Sequence, residues 1–263
     1  MLYQRITLLT GALMDIYATP SCLDPTRRLR ALVICPGGGY SHLSPREAEP
    51  VAMRFAGLGF ITFVVFYHTA PSRFPAAVHD VGAALAHIRQ HAEEYHVNPE
   101  AIAVMGFSAG AHAAGSLGVM WHREDLWRPL GLTCRQVKPN AMVLCYPVIS
   151  GGEFAHRGSF ECLTGSSELS VHKDYSLENF VTASTPPTFL WHTWEDQLVP
   201  VENSLLMAMA LRRHGVPAEV HIYPHGPHGG ALCDESTASM PSKLIPEAQD
   251  WPNQAARFLR EAM

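Results

Sequence analysis

The sequence predicts an α/β fold in which a mostly parallel central sheet is flanked by helices. Apolar runs of strand length alternate along the chain with segments of helical spacing, which is typical of parallel strands joined by right-handed crossovers. The length of 263 residues and the 47% hydrophobic content allow one substantial core. We therefore expect a single domain over residues 1–263, without a large cap domain.

Each predicted element has a local reason. Two short strands, 3–9 and 12–18, should form an antiparallel hairpin, followed by a polar loop over 20–30. Continuous apolar runs indicate strands buried on both faces at 30–35 and 60–66, and further strands are expected at 102–105, 140–146, 187–192 and 218–223. Helical spacing occurs at 47–57, 76–95, 109–120, 202–214 and 246–263. The span 150–185 mixes Gly, Ser and charges, so we expect an irregular segment that rims the site.

The composition excludes several classes of function. A formal net charge of −5 does not suggest a nucleic acid or membrane partner, and no apolar run is long enough to span a membrane. The N-terminus lacks the basic region of a signal peptide. The six cysteines contain no Cys-x-x-Cys, so we expect no metal or cofactor and a reducing, cytoplasmic location. They are Cys22, Cys35, Cys134, Cys145, Cys162 and Cys233, of which Cys35 and Cys145 should be buried.

The most informative motif is Gly106-Phe-Ser-Ala-Gly110, which lies between a predicted strand and a predicted helix. In this setting Gly-x-Ser-x-Gly is the nucleophile elbow of the α/β-hydrolases, with Ser108 at the apex of a strained turn. The pentapeptide also occurs by chance, so its meaning depends on the other parts that acyl transfer needs. These are a base, a group that orients the base, and donors for the oxyanion.

An acid and a histidine follow Ser108 in the order that α/β-hydrolases use. Asp196 and His228 each lie after a predicted strand, at the sheet edge where open α/β sheets bind ligands. Glu195 and His225 are neighbouring alternatives for the same two roles. Asp196 could instead lie before the N-terminus of the next helix, where its negative charge interacts favourably with the helix dipole. His228 could be a solvated loop residue.

A glycine-rich loop, Pro36-Gly-Gly-Gly-Tyr40, ends the first buried strand. Such a loop commonly supplies half of an oxyanion hole, so we expect the backbone amides of Gly38, Gly39 and Ala109 to serve as donors. A flexible glycine turn is the alternative. A phosphate loop is disfavoured because no Gly-Lys-Ser/Thr follows. His112, one helical turn after the serine, is expected to pack rather than act as the base.

Taken together, these motifs resemble the small bacterial α/β-hydrolase esterases related to acetyl esterases and acetylxylan esterases. The resemblance covers residues 30–232 and implies the α/β-hydrolase fold with Ser108, Asp196 and His228 as the triad. Related esterases often have His-Gly-Gly-Gly at the oxyanion loop, whereas this chain has Pro36 in place of that histidine. The matching segments are 36–40, 46–52, 74–77 with Asp80, 106–112, 186–193, 196–200 and 226–229.

The expected function is hydrolysis of short-chain acyl esters, above all acetyl esters, through an acyl-enzyme. The absence of a lipase-like lid favours a small ester substrate, and the resemblance implies acetylated sugars or xylo-oligosaccharides. Four aromatic residues near strand ends could either stack on a sugar or pack in the core: Tyr40, Tyr67, Trp191 and Trp194.

Two other readings stay open. One is an amidase or peptidase with the same triad, either arylformamidase-like or prolyl-oligopeptidase-like, although there is no room here for a propeller domain. The other is a non-catalytic hydrolase-like binding protein, which would be expected to lose a triad member. The oligomeric state is not predicted.

Overall fold

An eight-stranded sheet runs through the computed structural model, which describes residues 2–18 and 26–263. Its order is β1-β2-β4-β3-β5-β6-β7-β8. Strands β3 to β8 are parallel, whereas the hairpin β1–β2 is antiparallel and pairs with β4 at one edge. The strands are Leu2–Thr7, Leu13–Ala18, Leu29–Cys35, Ile61–Phe66, Val97–Phe107, Ala141–Cys145, Thr188–Thr193 and Ala218–Tyr223.

Helices cover both faces of the sheet. Side chains of α1 and α9 pack on one face, and those of α2, α3 and α8 pack on the other. Because side chains alternate along a strand, successive apolar residues of β3 enter opposite cores, Val33 on one side and Ile34 on the other. The helices α1 to α9 are Glu49–Gly57, Ala76–Gln90, Ala109–Met120, Glu124–Trp127, Cys134–Val137, Arg157–Thr164, Leu169–Lys173, Glu202–Arg213 and Trp251–Ala262.

The predicted fold class is confirmed, and three predicted elements need correction. Helix α2 ends at Gln90 rather than at residue 95, because the chain turns there and His96 adopts a positive φ of 53° before β5. The span 150–185 is not irregular throughout, since it contains α6, α7 and a 3₁₀ turn. The terminal helix α9 begins at Trp251, after a separate 3₁₀ turn that starts at Pro246.

The predicted burial of two thiols is confirmed, since Cys35 and Cys145 are both fully buried. Burial raises the pKa of each thiol, so both remain protonated and unreactive at neutral pH. Part of the predicted loop over 20–30, and Cys22 with it, lies outside the described residues. Among the helices of the described residues, none combines the length and apolar character needed to span a bilayer.

Candidate active site

The predicted elbow is formed where β5 meets α3. Ser108 follows the strand, precedes the first helical residue and has φ 53° and ψ −119°, a backbone region that L-residues rarely adopt. The turn is possible because its glycines approach other backbone closely. A Cβ atom at Gly106 would collide with the Gly110 carbonyl oxygen, and one at Gly110 would collide with the carbonyl oxygens of Cys35 and Pro36.

The structure brings the three predicted triad residues together. The Ser108 hydroxyl lies 2.8 Å from His228 Nε2, and His228 Nδ1 lies 2.6 Å from Asp196 Oδ2. The carboxylate can only accept, so Nδ1 carries the proton and Nε2 is free to accept from the hydroxyl. This is the tautomer that a general base for serine needs.

Asp196 is buried, and each of its oxygens accepts two hydrogen bonds. Oδ1 accepts from the Leu198 and Val199 amides, both at 2.9 Å, and Oδ2 accepts from His228 and His192. Burial alone would raise the pKa of Asp196, but the bonds from the two histidines outweigh it, so the pKa falls below its ordinary value. The carboxylate is therefore ionised at neutral pH.

His192 is a residue that the sequence did not predict at the site. It is fully buried, and its Nε2 faces two acceptors, Asp196 Oδ2 at 3.2 Å and the Val199 carbonyl at 3.0 Å. Nε2 must therefore be protonated, and Nδ1 accepts from the Ser204 hydroxyl at 2.8 Å. His192 thus donates to the same carboxylate oxygen as His228 and helps to hold it in place.

The alternative acid and base make contact with each other rather than with the elbow. His225 Nδ1 lies 3.2 Å from Glu195 Oε1, and both side chains are more than half exposed. His112 is buried, as predicted for a packing residue; its Nε2 donates to the Tyr175 carbonyl and its Nδ1 accepts from the Tyr40 hydroxyl. Burial lowers the pKa of His112 to about 4.

The glycine loop lies against the elbow, and Gly38 and Gly39 line the same cavity as the serine. The N–H groups of Gly38 and Gly39 donate to no acceptor in the described parts of the chain. The Ala109 N–H occupies the first position of α3, where a helix leaves its amide without an internal acceptor. The Gly37 N–H is occupied, since it donates to Glu47 Oε2 at 2.8 Å. The three predicted oxyanion donors, the N–H groups of Gly38, Gly39 and Ala109, are therefore available.

A buried bridge joins the glycine loop to the segment that carries the base, and it too was not predicted. Glu47 accepts from the Gly37 N–H with one oxygen and from the Tyr146 hydroxyl, at 2.7 Å, with the other. The same hydroxyl accepts from the Ala231 N–H at 3.0 Å. The Tyr146 ring packs edge-to-face on the His228 imidazole, with centroids 5.0 Å apart. The only feature of the sequence that could have indicated Tyr146 is its position as a polar residue at the end of a predicted strand.

Three of the four aromatic residues that were considered as sugar platforms belong to the core. Tyr40, Tyr67 and Trp191 are at most 2% exposed, so they cannot offer a ring face to a substrate. Trp194 is 62% exposed and lies two residues before the candidate acid. Of the four, Trp194 is the one with an exposed ring, and it lines a neighbouring surface pocket rather than the cavity of Ser108.

The candidate triad opens on a cavity of about 340 Å³. His156 and Leu198 contribute to its wall, so the segment 150–185 does reach the rim through His156. Among the described residues, no group of three or more His, Cys, Asp or Glu side chains could hold a metal ion.

Comparison with known protein families places residues 14–211, more than half of the chain, in BD-FAE. The chain belongs to the BD-FAE family. A curated relative, Endo-1,4-beta-xylanase B of Butyrivibrio fibrisolvens, is 36% identical over 219 residues, which are 81% of this chain and 34% of that protein. The acetylxylan esterase of Xylanibacter ruminicola is 33% identical over 207 residues, which are 76% of this chain and 41% of that protein. The BD-FAE chain thus spans well under half of either relative.

Solved structures of similar length match this BD-FAE chain almost throughout. The acetyl ester-xyloside bifunctional hydrolase of Caldicellulosiruptor lactoaceticus has a TM-score of 0.80 at 36% identity, covering 95% of this chain and 88% of that one. The carboxylesterase Cest-2923 of Lactobacillus plantarum has a TM-score of 0.87 at 28% identity, covering 99% and 98%. The chain is a member of a family of carboxylic ester hydrolases with the α/β-hydrolase fold, as the motifs implied.

Proposed function

We propose that this chain is a serine esterase that hydrolyses short-chain acyl esters through Ser108, His228 and Asp196. The observation that carries the proposal is the continuous hydrogen-bonded series from the Ser108 hydroxyl through the imidazole to the buried carboxylate. The serine end of this series lies in a cavity that Gly38 and Gly39 also line. Ser108 lies on a strained turn that presents its hydroxyl to this cavity. Such an arrangement supports nucleophilic attack on a carbonyl.

In the proposed acylation step, the Ser108 oxygen bonds to the carbonyl carbon while its proton passes to His228 Nε2. The carbonyl oxygen becomes an oxyanion, which the amides of Gly38, Gly39 and Ala109 stabilise. The carbon–oxygen bond to the alcohol then breaks, and the imidazolium returns its proton to the departing oxygen. Asp196 keeps the imidazole in its tautomer and stabilises the imidazolium.

In the proposed deacylation step, water replaces the alcohol. It transfers one proton to His228 while its oxygen attacks the acyl carbon, and the carboxylic acid leaves as the proton returns to Ser108. No cofactor takes part in this scheme. An amide would pass through the same steps with an amine as the leaving group, which is why a substrate panel is needed.

Acetylated saccharides or xylo-oligosaccharides are the proposed substrate class. The cavity of about 340 Å³ lies at the lower end of the roughly 300–1,000 Å³ range of ligand pockets, which favours a small acyl group. Two similar proteins are described as an acetylxylan esterase and an acetyl ester-xyloside hydrolase. The exposed Trp194 offers an aromatic face near the candidate acid.

Replacement of the nucleophile tests the proposal. Ser108→Ala should lower kcat for p-nitrophenyl acetate by at least about 10⁴-fold, because no other group can form the acyl-enzyme. It should also abolish labelling by a fluorophosphonate probe. Ser116→Ala, which removes a buried hydroxyl from the same helix, is the matched control and should keep both activities. Wild-type turnover or labelling in Ser108→Ala would exclude this nucleophile and favour a binding protein or another mechanism.

A substrate panel tests the finer proposal. Acetyl esters, including acetylated xylo-oligosaccharides, should react faster than octanoyl esters, formyl-kynurenine and dipeptide amides. Faster turnover of octanoyl esters would contradict the short-acyl preference. Faster turnover of the formyl or peptide amides would assign the same triad to an amidase.

A further inference from the structure

Two cationic side chains enter the wall of the cavity beside the candidate base. Arg46 and Lys243 both line it, although they are nearly 200 residues apart in the chain. A methyl group placed on Gly229 would lie 3.3 Å from Lys243 Nζ and 3.6 Å from Arg46 Nη2. The ammonium and the guanidinium therefore face one point, next to the residue that follows His228.

Neither cation forms an ion pair within the described parts of the chain. Lys243 Nζ makes no hydrogen bond or ion pair there, and Arg46 donates only through Nη1, to the carbonyl oxygens of Gly229 and Thr237. Arg46 Nη2 is left free. Burial lowers the pKa of Lys243 and the neighbouring Arg46 lowers it further, whereas the carboxylates of Glu47 and Asp196 oppose this shift without contacting the ammonium.

The acidic groups nearby are already engaged in other contacts. Glu47 lines the cavity, but its two oxygens accept from Gly37 and Tyr146. Asp196 is buried and holds the two histidines. The cavity wall contains two histidines besides His228, and neither supplies a negative charge to the cations. His42 contacts Ser41, and burial lowers the pKa of His156, which keeps it neutral.

The position of the cations indicates which part of a substrate they would meet. In the proposed mechanism the imidazole returns its proton to the leaving alcohol, so the alcohol lies on the His228 side of the ester. Gly229 follows His228 directly, and both cations face this glycine. An anionic group on the alcohol, a short distance from the scissile oxygen, would reach them.

We propose that Arg46 Nη2 and Lys243 Nζ form a carboxylate subsite for the alcohol part of the substrate. This inference rests on the proposed esterase function and narrows its substrate to an O-acetylated hydroxy acid, such as an acetylated sugar acid. A guanidinium and an ammonium that converge on one point match the two oxygens of a carboxylate. A neutral acetylated sugar would leave both cations in the cavity without a partner.

A pair of aryl acetates, one with a free carboxylate and one with that carboxylate masked as a methyl ester, tests the subsite when release of the acetyl group is followed. We expect wild-type kcat/KM to be on the order of tenfold higher for 3-acetoxybenzoate than for its methyl ester, the range for a hydrogen bond between charged groups. Lys243→Met should remove most of that preference by lowering kcat/KM for the acid about tenfold more than for the methyl ester. Lys173→Met removes the same charge from an exposed position outside the cavity and should leave the preference intact.

A binding measurement separates this inference from the esterase proposal. On Ser108→Ala, calorimetry should show tighter binding of 3-acetoxybenzoate than of its methyl ester, and the difference should vanish when Lys243→Met is added. Binding discrimination without any wild-type hydrolysis would support the subsite and overturn the esterase. Hydrolysis of both esters without discrimination, or an equal loss for both in Lys243→Met, would overturn the subsite alone.

Discussion

The two halves of the candidate site are held in place by different means. The elbow, residues 106–110, is fixed by backbone: the Ser108 N–H donates to the Cys145 carbonyl, and the Val148 N–H donates to the Ser108 carbonyl. Two glycines bring helix and strand so close that no side chain fits between them. The candidate nucleophile is therefore positioned by the same contacts that build the sheet.

The base loop, residues 224–233, has less backbone support, because its backbone bonds, from the Cys233 N–H to the Gly230 carbonyl and from the Ile245 N–H to the Cys233 carbonyl, lie at its end. Side chains from other parts of the chain hold it: the Tyr146 hydroxyl accepts from the Ala231 N–H, and Trp251 Nε1 donates to the Ala231 carbonyl. This loop carries His228 on a segment without helix or strand. The difference shows that damage to the elbow should cost the fold, whereas damage to the loop anchors should cost less stability and leave a folded protein with reduced turnover.

The largest effect is expected from Gly110→Ala. The added methyl would collide with the carbonyl oxygens of Cys35 and Pro36, so α3 would have to move away from the strand. We expect a loss of about 3 kcal/mol or more in the free energy of unfolding, together with loss of esterase activity. Urea denaturation and turnover of p-nitrophenyl acetate measure both.

Gly57→Ala is the matched control, because a Cβ there meets nothing within 4 Å. Its free energy of unfolding should change by less than about 1 kcal/mol. If Gly110→Ala were as mild as this control, the elbow would not be held by close packing.

Tyr146→Phe should have an intermediate effect on the base loop. It leaves a buried oxygen of Glu47 and the Ala231 N–H without their partner, which should destabilise the fold by about 2 kcal/mol. Because the loop that carries His228 is loosened, kcat should fall roughly tenfold while KM changes little.

Tyr223→Phe serves as the comparison, since it removes one hydroxyl bond that is made to Gln254 of α9 and not to the base loop, which Tyr223 directly precedes. It should leave kcat within about twofold of wild type. Equal values of kcat in the two variants would show that the Tyr146 hydroxyl does not position the loop.

The smallest effect is the loss of stability at low pH that protonation of His112, on the elbow side of the site, should cause. His112 has a pKa of about 4 in the fold, below the ordinary value of 6.5, so the unfolded chain binds the proton more tightly. The stability that this neutral histidine contributes is complete above pH 6.5 and is lost as the pH falls toward 4. Lowering the pH from 7.5 to 5.5 should therefore cost about 1 kcal/mol through this group.

His112→Gln removes the titrating group, so its loss of stability over the same pH step should be smaller by that amount. The free energy of unfolding at the two pH values, from urea curves of both proteins, gives the difference directly. Identical pH dependence would mean that His112 does not resist protonation in the fold.

Much of the fold could be predicted because its strands are long apolar runs whose burial leaves few alternatives. The end of α2 could not, since residues 91–95 include good helix formers and only the need to enter β5 turns the chain at His96. The helices α6 and α7 were missed for a related reason. They are short, so packing rather than local preference decides them.

The same contrast applies to the site. Ser108, Asp196 and His228 could be predicted because each follows a strand and all three belong to one recognisable order. The bond between Glu47 and Tyr146 joins residues 99 positions apart, and no local pattern specifies such a pair. His192 was overlooked because it lies inside an apolar strand, where its polar contacts depend on how the next loop folds back.

The surroundings of Asp196 have a consequence for the barrier itself. Amides of Leu198 and Val199 and the imidazole of His192 point at the carboxylate before any substrate arrives. When positive charge forms on His228, these dipoles need not rotate, whereas water around an exposed aspartate would have to rearrange. Folding thus orients these dipoles in advance, which lowers the reorganisation energy of charge separation in each turnover.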